Sequence, residues 1–296
     1  MQKFRFVIVD VFTDQPLTGN PLAVFPDAEN LDATQMQSIA REFNFSETTF
    51  VMPARDAKTD WRLRCFSPTA EVFGAGHNAL GAWWVLAAEG VVRPDKEIVT
   101  TWQELGDRVL PVEIYFQDDR PLRVAMTQDK PHFGDTLTDL ESLAKAVGLT
   151  VSDLNVHGLK PQAVSTGATH LLTPVNDLAA LSRVQINADE LIKVARPLGC
   201  QGCYLFSRET IDQNSAAHAR AFFPGIGITE DPATGSAAGP LGAYLASHKL
   251  ISEDTWTVIE QGDEMRRSSR IEVRVTGDQV KVAGRCAILA EGSLSL

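Results

Sequence analysis

Cysteine and positive charge are scarce in this sequence of 296 residues. Its four cysteines are too few for a disulfide scaffold. Its 27 lysines and arginines stand against 38 acidic residues, giving a formal net charge of -11. Nucleic acids and anionic membranes bind clustered basic residues, so we expect neither as a partner. The longest uncharged apolar stretch, 79–88, is about half of the roughly 20 residues that a membrane-spanning helix needs. We therefore expect a cytoplasmic protein.

Several motifs that hold cofactors or metals are also missing. The sequence has no G-x-x-x-x-G-K-[ST] phosphate loop, no G-x-S-x-G at 235–239, and no third glycine after Gly74 and Gly76 for a dinucleotide fingerprint. Its six histidines show no close metal-ligand spacing. We expect no metal. Cys200 and Cys203 form a C-x-x-C without a second cysteine pair, and whether they have a redox role stays open.

The sequence does contain an internal repeat. The segments 18–26 and 166–174 both begin with Thr-Gly and end with Pro. An R-x-F-x-P motif occurs at 64–68 and again at 220–224, and an L-G-A triplet at 80–82 recurs at 241–243. The matches keep their order at a spacing of about 150 residues, far too long for a solenoid repeat. The repeat favours two similar domains, although coincidence among common turn residues is the alternative.

Hydrophobic periodicity predicts many strands around few helices. The predicted strands are 4–12, 22–25, 48–52, 61–66, 97–101, 108–116 and 122–127, then 168–173, 202–207, 217–222, 256–260, 270–275, 279–283 and 286–290. The predicted helices are 32–43, 77–89, 187–197 and 235–247. Helices 77–89 and 235–247 are apolar on nearly all sides and must be surrounded. We predict an α+β fold in which a curved, mostly antiparallel sheet wraps around a helix, twice.

Small residues stand at the entrance of both apolar helices. The first entrance loop is Gly74-Ala75-Gly76-His77-Asn78, and the second is Thr234-Gly235-Ser236-Ala237-Ala238. Helix N-termini expose unpaired N–H groups and the positive end of the helix dipole, so two facing loops would hold a small carboxylate without a lysine or arginine. The alternative is that the glycines only permit tight turns.

Three polar residues near these loops are candidates for chemistry. Glu47 stands at the start of a strand, where a carboxylate beside a dry cleft can act as acid and base in turn. His77 would relay a proton or donate to the substrate, and Asp231 would orient His77 or bind a substrate amine. The structural alternatives are a solvated strand-end glutamate, a helix-capping or core histidine, and a turn aspartate before Pro232.

The sequence resembles the PhzF family of phenazine-biosynthesis isomerases along nearly its whole length. The segments that carry the resemblance are GNPLAV (19–24), FSETTFV (45–51), R-x-F-x-P-x-x-E (64–71) followed by Gly76-His77, and EDPATGSAAGP (230–240). The resemblance implies the diaminopimelate epimerase-like fold, with two pseudo-symmetric domains, each a β-barrel around a central helix, and an active site between them. The expected domains are 1–117 plus about 285–296, and 118–284.

The resemblance also implies a reaction. Family members isomerise trans-2,3-dihydro-3-hydroxyanthranilate by moving a proton between ring carbons, without cofactor or metal. It implies that Glu47 is the acid/base, and that His77, Asp231, Ser46, Gly76, Gly235 and Ser236 bind or support the substrate. A homodimer is a further expectation from the family.

Two features depart from related patterns. Related epimerases and racemases use two facing cysteines, and the matching positions here are Ala75 and Thr234, which argues against a two-thiol mechanism. Gly74 and Asn78 also differ from the usual family loop. We expect a cofactor-independent isomerase of a small, cyclic carboxylic acid. The alternatives are another cofactor-free epimerase or lyase acting on a small amino or hydroxy acid, and a non-catalytic binding protein of the same fold.

Overall fold

The computed structural model of the chain describes residues 2–74 and 76–296. The strands are β1 (Lys3–Val11), β2 (Asn20–Phe25), β3 (Glu47–Pro53), β4 (Trp61–Phe66), β5 (Glu71–Val72), β6 (Ile98–Leu105), β7 (Arg108–Gln117), β8 (Arg120–Thr127), β9 (His132–Thr136), β10 (Gln162–Ser165), β11 (Thr169–Pro174), β12 (Cys203–Ser207), β13 (Ser215–Phe223), β14 (Ile228–Asp231), β15 (Thr257–Gln261), β16 (Ser269–Thr276), β17 (Gln279–Gly284) and β18 (Cys286–Ser295). The helices are α1 (Ala33–Phe43), α2 (His77–Ala88), α3 (Leu140–Val147), α4 (Val151–Leu154), α5 (Leu178–Ser182), α6 (Ala188–Ala195) and α7 (Gly235–Ser247).

The chain forms two compact units. Unit 1 holds Met1–Thr127 with Ala283–Leu296, and unit 2 holds Gln128–Val282. The sequence analysis placed 118–127 in the second domain, whereas the structure groups β8 with unit 1. The reason is the turn between β7 and β8, where Asp118 and Asp119 both have positive φ (51° and 60°), so that the two strands pair as an antiparallel hairpin.

The two units repeat one pairing scheme. In unit 1, β2 is parallel to β3, β3 antiparallel to β4, β4 parallel to β6, and β6 antiparallel to β7. In unit 2, the same sequence of pairings joins β11 to β12, β12 to β13, β13 to β15, and β15 to β16. The internal repeat in the sequence is therefore a repeat of topology.

Each unit wraps its sheet around one apolar helix. Helix α2 packs against strands of unit 1, and α7 packs against β10, β11 and β16 of unit 2. The repeated L-G-A triplet explains how closely they pack. A Cβ on Gly81 would lie 2.6 Å from Leu22 Cδ2, and one on Gly242 would lie 2.4 Å from Val273 Cγ1. The predicted α+β fold with two helix-centred halves is confirmed.

Repeated polar side chains support each unit. The buried Glu104 on β6 accepts hydrogen bonds from the backbone N–H groups of Arg55 and Asp56, each at 2.7 Å. Glu260 on β15 accepts in the same way from Ile211 (2.9 Å) and Asp212 (2.7 Å). A loop in each unit is thus fastened to a carboxylate on the neighbouring strand.

The second support that occurs in both units is a bidentate ion pair. The R-x-F-x-P arginine of unit 1, Arg64, donates to both oxygens of Glu71 at 2.7 Å. Its counterpart Arg220 donates to Glu230 at 2.8 and 3.0 Å. Each ion pair joins β4 or β13 to the short strand that precedes the central helix of the same unit.

The helices are short. The longest among the described residues, α7, has 13 residues. Within that part of the chain, none of the helices has both the length and the apolar character required to cross a membrane.

Candidate active site

Glu47 and His77 meet in unit 1. Glu47 begins β3 because that strand pairs in parallel with β2, with Leu22 opposite Glu47. His77 is the first residue of α2. Their side chains are 18% and 11% exposed, and His77 Nδ1 lies 3.6 Å from Glu47 Oε2. The strand end and the helix N-terminus thus present a carboxylate and an imidazole side by side, with limited access for water.

Ser46 and Asn20 extend this group. Ser46 Oγ donates to Oδ1 of the buried Asn20 at 3.0 Å and lies 3.5 Å from His77 Nε2. Ser46, His77 and Glu47 thus form one cluster of polar side chains at the start of α2.

His77 is neutral at physiological pH. Burial lowers its pKa to about 4, because an imidazolium ion loses hydration in this setting. A neutral imidazole does not form a fixed ion pair with the carboxylate of Glu47. The pair can therefore exist with Glu47 either charged or protonated, as a group that takes up and returns a proton requires.

Asn78 organises the first entrance loop. Its side chain is 1% exposed, and its Oδ1 accepts from Gly76 N–H at 2.8 Å and Ala79 N–H at 2.6 Å. Its Nδ2 donates to the Gly74 carbonyl at 3.0 Å. Gly74 and Asn78 are thus joined by a hydrogen bond. Ala75 lies outside the described residues.

A second group of predicted residues assembles in unit 2. Asp231, at the end of β14, accepts a hydrogen bond from Thr234 Oγ1 at 2.5 Å. The buried Gln261 contacts both residues, since its Nε2 donates to the Asp231 carbonyl (2.6 Å) and to Thr234 Oγ1 (3.0 Å). Thr234 is the N-cap of α7, so Gly235 and Ser236 begin that helix. The Thr234 hydroxyl is thus held by hydrogen bonds within the loop.

The second entrance loop is buried apart from one residue. Ser236 is half-buried, whereas Asp231, Gly235 and Ala237 are buried. The Ser236 backbone hydrogen-bonds to the buried His170, whose pKa burial lowers to about 4. Neither N-cap residue, Gly76 or Thr234, caps its helix with its own side chain, although Asn78 accepts from Gly76 and Ala79 at the start of α2. The positive dipole end of each helix is suited to an anion.

Sequence reasoning missed four supporting residues: Asn20, Asn78, His170 and Gln261. Asn20 and Asn78 stand inside or beside motifs that were read for their glycines, and a buried asparagine next to a helix start is a recognisable capping signal. Gln261 carries no local signal, since it reaches the loop from a strand distant in sequence.

All four cysteines are free and buried. Burial raises the pKa of Cys200 to about 12. It also raises the pKa of Cys65, Cys203 and Cys286, because none of these sites solvates a thiolate. None of the cysteines is arranged as a nucleophile or redox thiol.

We expect the folded protein to resist thiol reagents. Because only the thiolate reacts and no site supports one, Ellman's reagent at pH 8 should label no thiol in the native chain and four after denaturation. Isomerase activity should be unchanged after this treatment. Loss of activity in step with labelling of Cys200 or Cys203 would contradict the assignment and revive a cysteine mechanism.

Comparison with known proteins places the chain in a family. The sequence model of the phenazine biosynthesis-like proteins matches residues 9–292. An uncharacterized isomerase of Clostridium acetobutylicum is 35% identical, in an alignment covering 100% of this chain and 99% of that one. The trans-2,3-dihydro-3-hydroxyanthranilate isomerase of Pseudomonas aeruginosa is 34% identical, with 97% and 98% covered. A crystal structure of a PhzF-family phenazine biosynthesis protein from Bacillus anthracis superposes with a TM-score of 0.91 at 30% identity, covering 100% of both chains. The chain therefore belongs to the PhzF family and is an isomerase.

Proposed function

We propose that this protein isomerises trans-2,3-dihydro-3-hydroxyanthranilate or a closely similar cyclic amino acid by proton transfer, with Glu47 as the single acid and base. The observation that carries the proposal is the pairing of Glu47 with a neutral, buried His77 at the start of α2. The name of the Pseudomonas aeruginosa relative supports the choice of substrate.

The reaction needs only one carboxylate. Glu47 as a carboxylate removes a proton from a ring carbon, and the electron pair is delocalised in the substrate. The protonated Glu47 then returns the proton to another ring carbon on the same face, which regenerates the carboxylate. We assign His77 as a positioning residue, since its Nδ1 lies 3.6 Å from Glu47 Oε2.

We assign substrate binding to the two entrance loops. Gly76 and Gly235, at the starts of α2 and α7, would line the site of the substrate carboxylate together with Ser46 and Ser236, and Asp231 would bind its amine. That both loops act on one molecule stays a prediction. We also propose that the protein works without metal or cofactor, since Glu47 alone balances the proton, and that it is a homodimer.

The test is proton exchange in heavy water. Incubation with trans-2,3-dihydro-3-hydroxyanthranilate in D₂O, followed by proton NMR, should show the substrate resonances replaced by those of an isomer. Deuterium should enter the new ring position to the extent that the proton on Glu47 exchanges with solvent. Small amino and hydroxy acids such as proline serve as comparison substrates. Exchange at the α-carbon of those acids alone would identify an epimerase. Tight binding without exchange of any acid would identify a binding protein.

A further inference from the structure

The internal repeat relates a buried histidine of unit 2 to an arginine of unit 1. In unit 2, β13 runs parallel to β15 with His218 opposite Glu260. In unit 1, β4 runs parallel to β6 with Arg62 opposite Glu104. Since Glu104 and Glu260 fasten equivalent loops, Arg62 and His218 occupy equivalent places in the two sheets.

The cation of unit 2 is fully paired. His218 Nδ1 lies 2.8 Å from Glu260 Oε2, and Nε2 lies 3.1 Å from Glu264 Oε1. Glu264 comes from the connection between β15 and β16, which contains a turn of 3₁₀ helix at Asp263–Met265. The longer connection of unit 2 thus supplies the second carboxylate.

The cation of unit 1 has no such partner. The connection between β6 and β7 is only Gly106 and Asp107, so it has no counterpart of Glu264. Among the described residues, the Arg62 guanidinium donates only to a weak acceptor, Met52 Sδ at 3.1 Å, and its Nε is buried without a hydrogen bond. Burial lowers the pKa of Arg62, and the charges of Arg55 and Arg64 lower it further, while the charges of Glu104 and Glu71 offset part of the shift.

The charged residues near Arg62 already form hydrogen bonds with other groups. Arg64 forms its bidentate pair with Glu71, and Arg55 Nε donates to Glu104 at 3.0 Å. Glu104 also accepts from Thr59 and two backbone groups. Neither carboxylate is therefore available to Arg62.

Arg62 borders an open cavity of about 420 Å³ in unit 1. Four arginines and two carboxylates, Glu71 and Asp107, line it. The ring of Phe73, which is 61% exposed, forms an apolar wall. The lining includes neither Glu47 nor His77, so this cavity is separate from the candidate active site.

We propose that this cavity, the Arg62 cavity, is a binding site for a small organic carboxylate. The carboxylate group pairs with Arg62 as Glu264 pairs with His218 in unit 2, and the apolar part of the ligand lies against Phe73. The cavity and the Arg62 guanidinium lie where the short β6–β7 connection of unit 1 provides no counterpart of Glu264.

The experiment is a titration with benzoate at constant ionic strength, by calorimetry and thermal unfolding. Benzoate should bind the wild type and raise its unfolding temperature. Arg62→Gln should weaken binding about tenfold or more, as expected for a lost charge-assisted pair. Arg93→Gln removes an exposed arginine of the same unit and should bind like the wild type.

The outcomes separate the two sites. Undiminished binding by Arg62→Gln or no binding by the wild type would each overturn the proposal. If Arg62→Gln does not fold, Arg62→Lys replaces it as the test. This variant keeps the charge and should bind benzoate with intermediate affinity. In crystals soaked with 4-bromobenzoate, an anomalous bromine peak beside Phe73 is expected, and a peak confined to the entrance of α2 would contradict it.

Discussion

Replacing Glu47 with glutamine is expected to lower the rate of isomerisation by about 10²- to 10⁴-fold, the range typical of losing a general acid/base. Glutamine keeps the shape of the side chain and the start of β3 but cannot take up the proton. The measurement is the initial rate of loss of trans-2,3-dihydro-3-hydroxyanthranilate, with substrate binding followed separately. KM should change little, because the groups proposed to bind the substrate anion do not include Glu47.

A matched control is available five positions earlier. Glu42 is an exposed glutamate on α1, so Glu42→Gln removes the same charge without touching the site. Its rate and the unfolding temperatures of both variants should match those of the wild type. Proton exchange that survives in Glu47→Gln would show that another group is the base.

The sequence predicted the fold where its signal is local. The helices α2 and α7 are apolar on nearly all sides, and both were placed to within one residue. The region between β8 and β11 was missed, although α3 begins with Asp139 as N-cap and ends at Gly148 with positive φ. Those signals were present, but 128–165 shows no counterpart in the repeat from which the other elements were read.

The site was predictable only in part. Glu47, His77 and Ser46 were identified as candidates, and the structure brings them together in unit 1. It likewise brings Asp231 to the N-cap of α7 in unit 2. The pairing of Gln261 with Thr234, and of Glu104 with the 55–56 loop, depends on strand pairing over long sequence separations. Such contacts follow from topology, which residue spacing does not specify.

The buried pair of His218 and Glu260 gives the second large prediction. His218 is 1% exposed and Glu260 is 0% exposed. Breaking a buried pair leaves an uncompensated charge, so His218→Gln should lower the free energy of unfolding by about 3–5 kcal/mol at pH 6.5. His132→Gln, at an exposed position of the same unit, is the control and should have little effect.

The same pair sets the pH dependence of stability. Burial alone would lower the pKa of His218, but the Glu260 and Glu264 carboxylates raise it to about 9. Its stabilisation is therefore fully present below about pH 6.5, the pKa of histidine in the unfolded chain, and is lost as pH rises through 9. The buried thiols add a further loss only above about pH 8.5, where unfolded cysteines ionise. Between pH 6.5 and 8.5, the fall in the free energy of unfolding with pH is therefore due to His218.

Below about pH 6.5, the neutral His77 and His170 make stability change with pH in the opposite direction. Burial lowers the pKa of both to about 4, so the unfolded chain binds protons first and stability falls as pH drops below about 6.5. Urea unfolding of the wild type should show maximal stability near pH 6.5 and a decline of up to about 1.4 kcal/mol per pH unit toward pH 8.5. In His218→Gln that decline should vanish while the acid branch remains, because only the alkaline branch requires a charged histidine. A wild type with constant stability from pH 6.5 to 8.5 would show that His218 is not protonated in the folded protein.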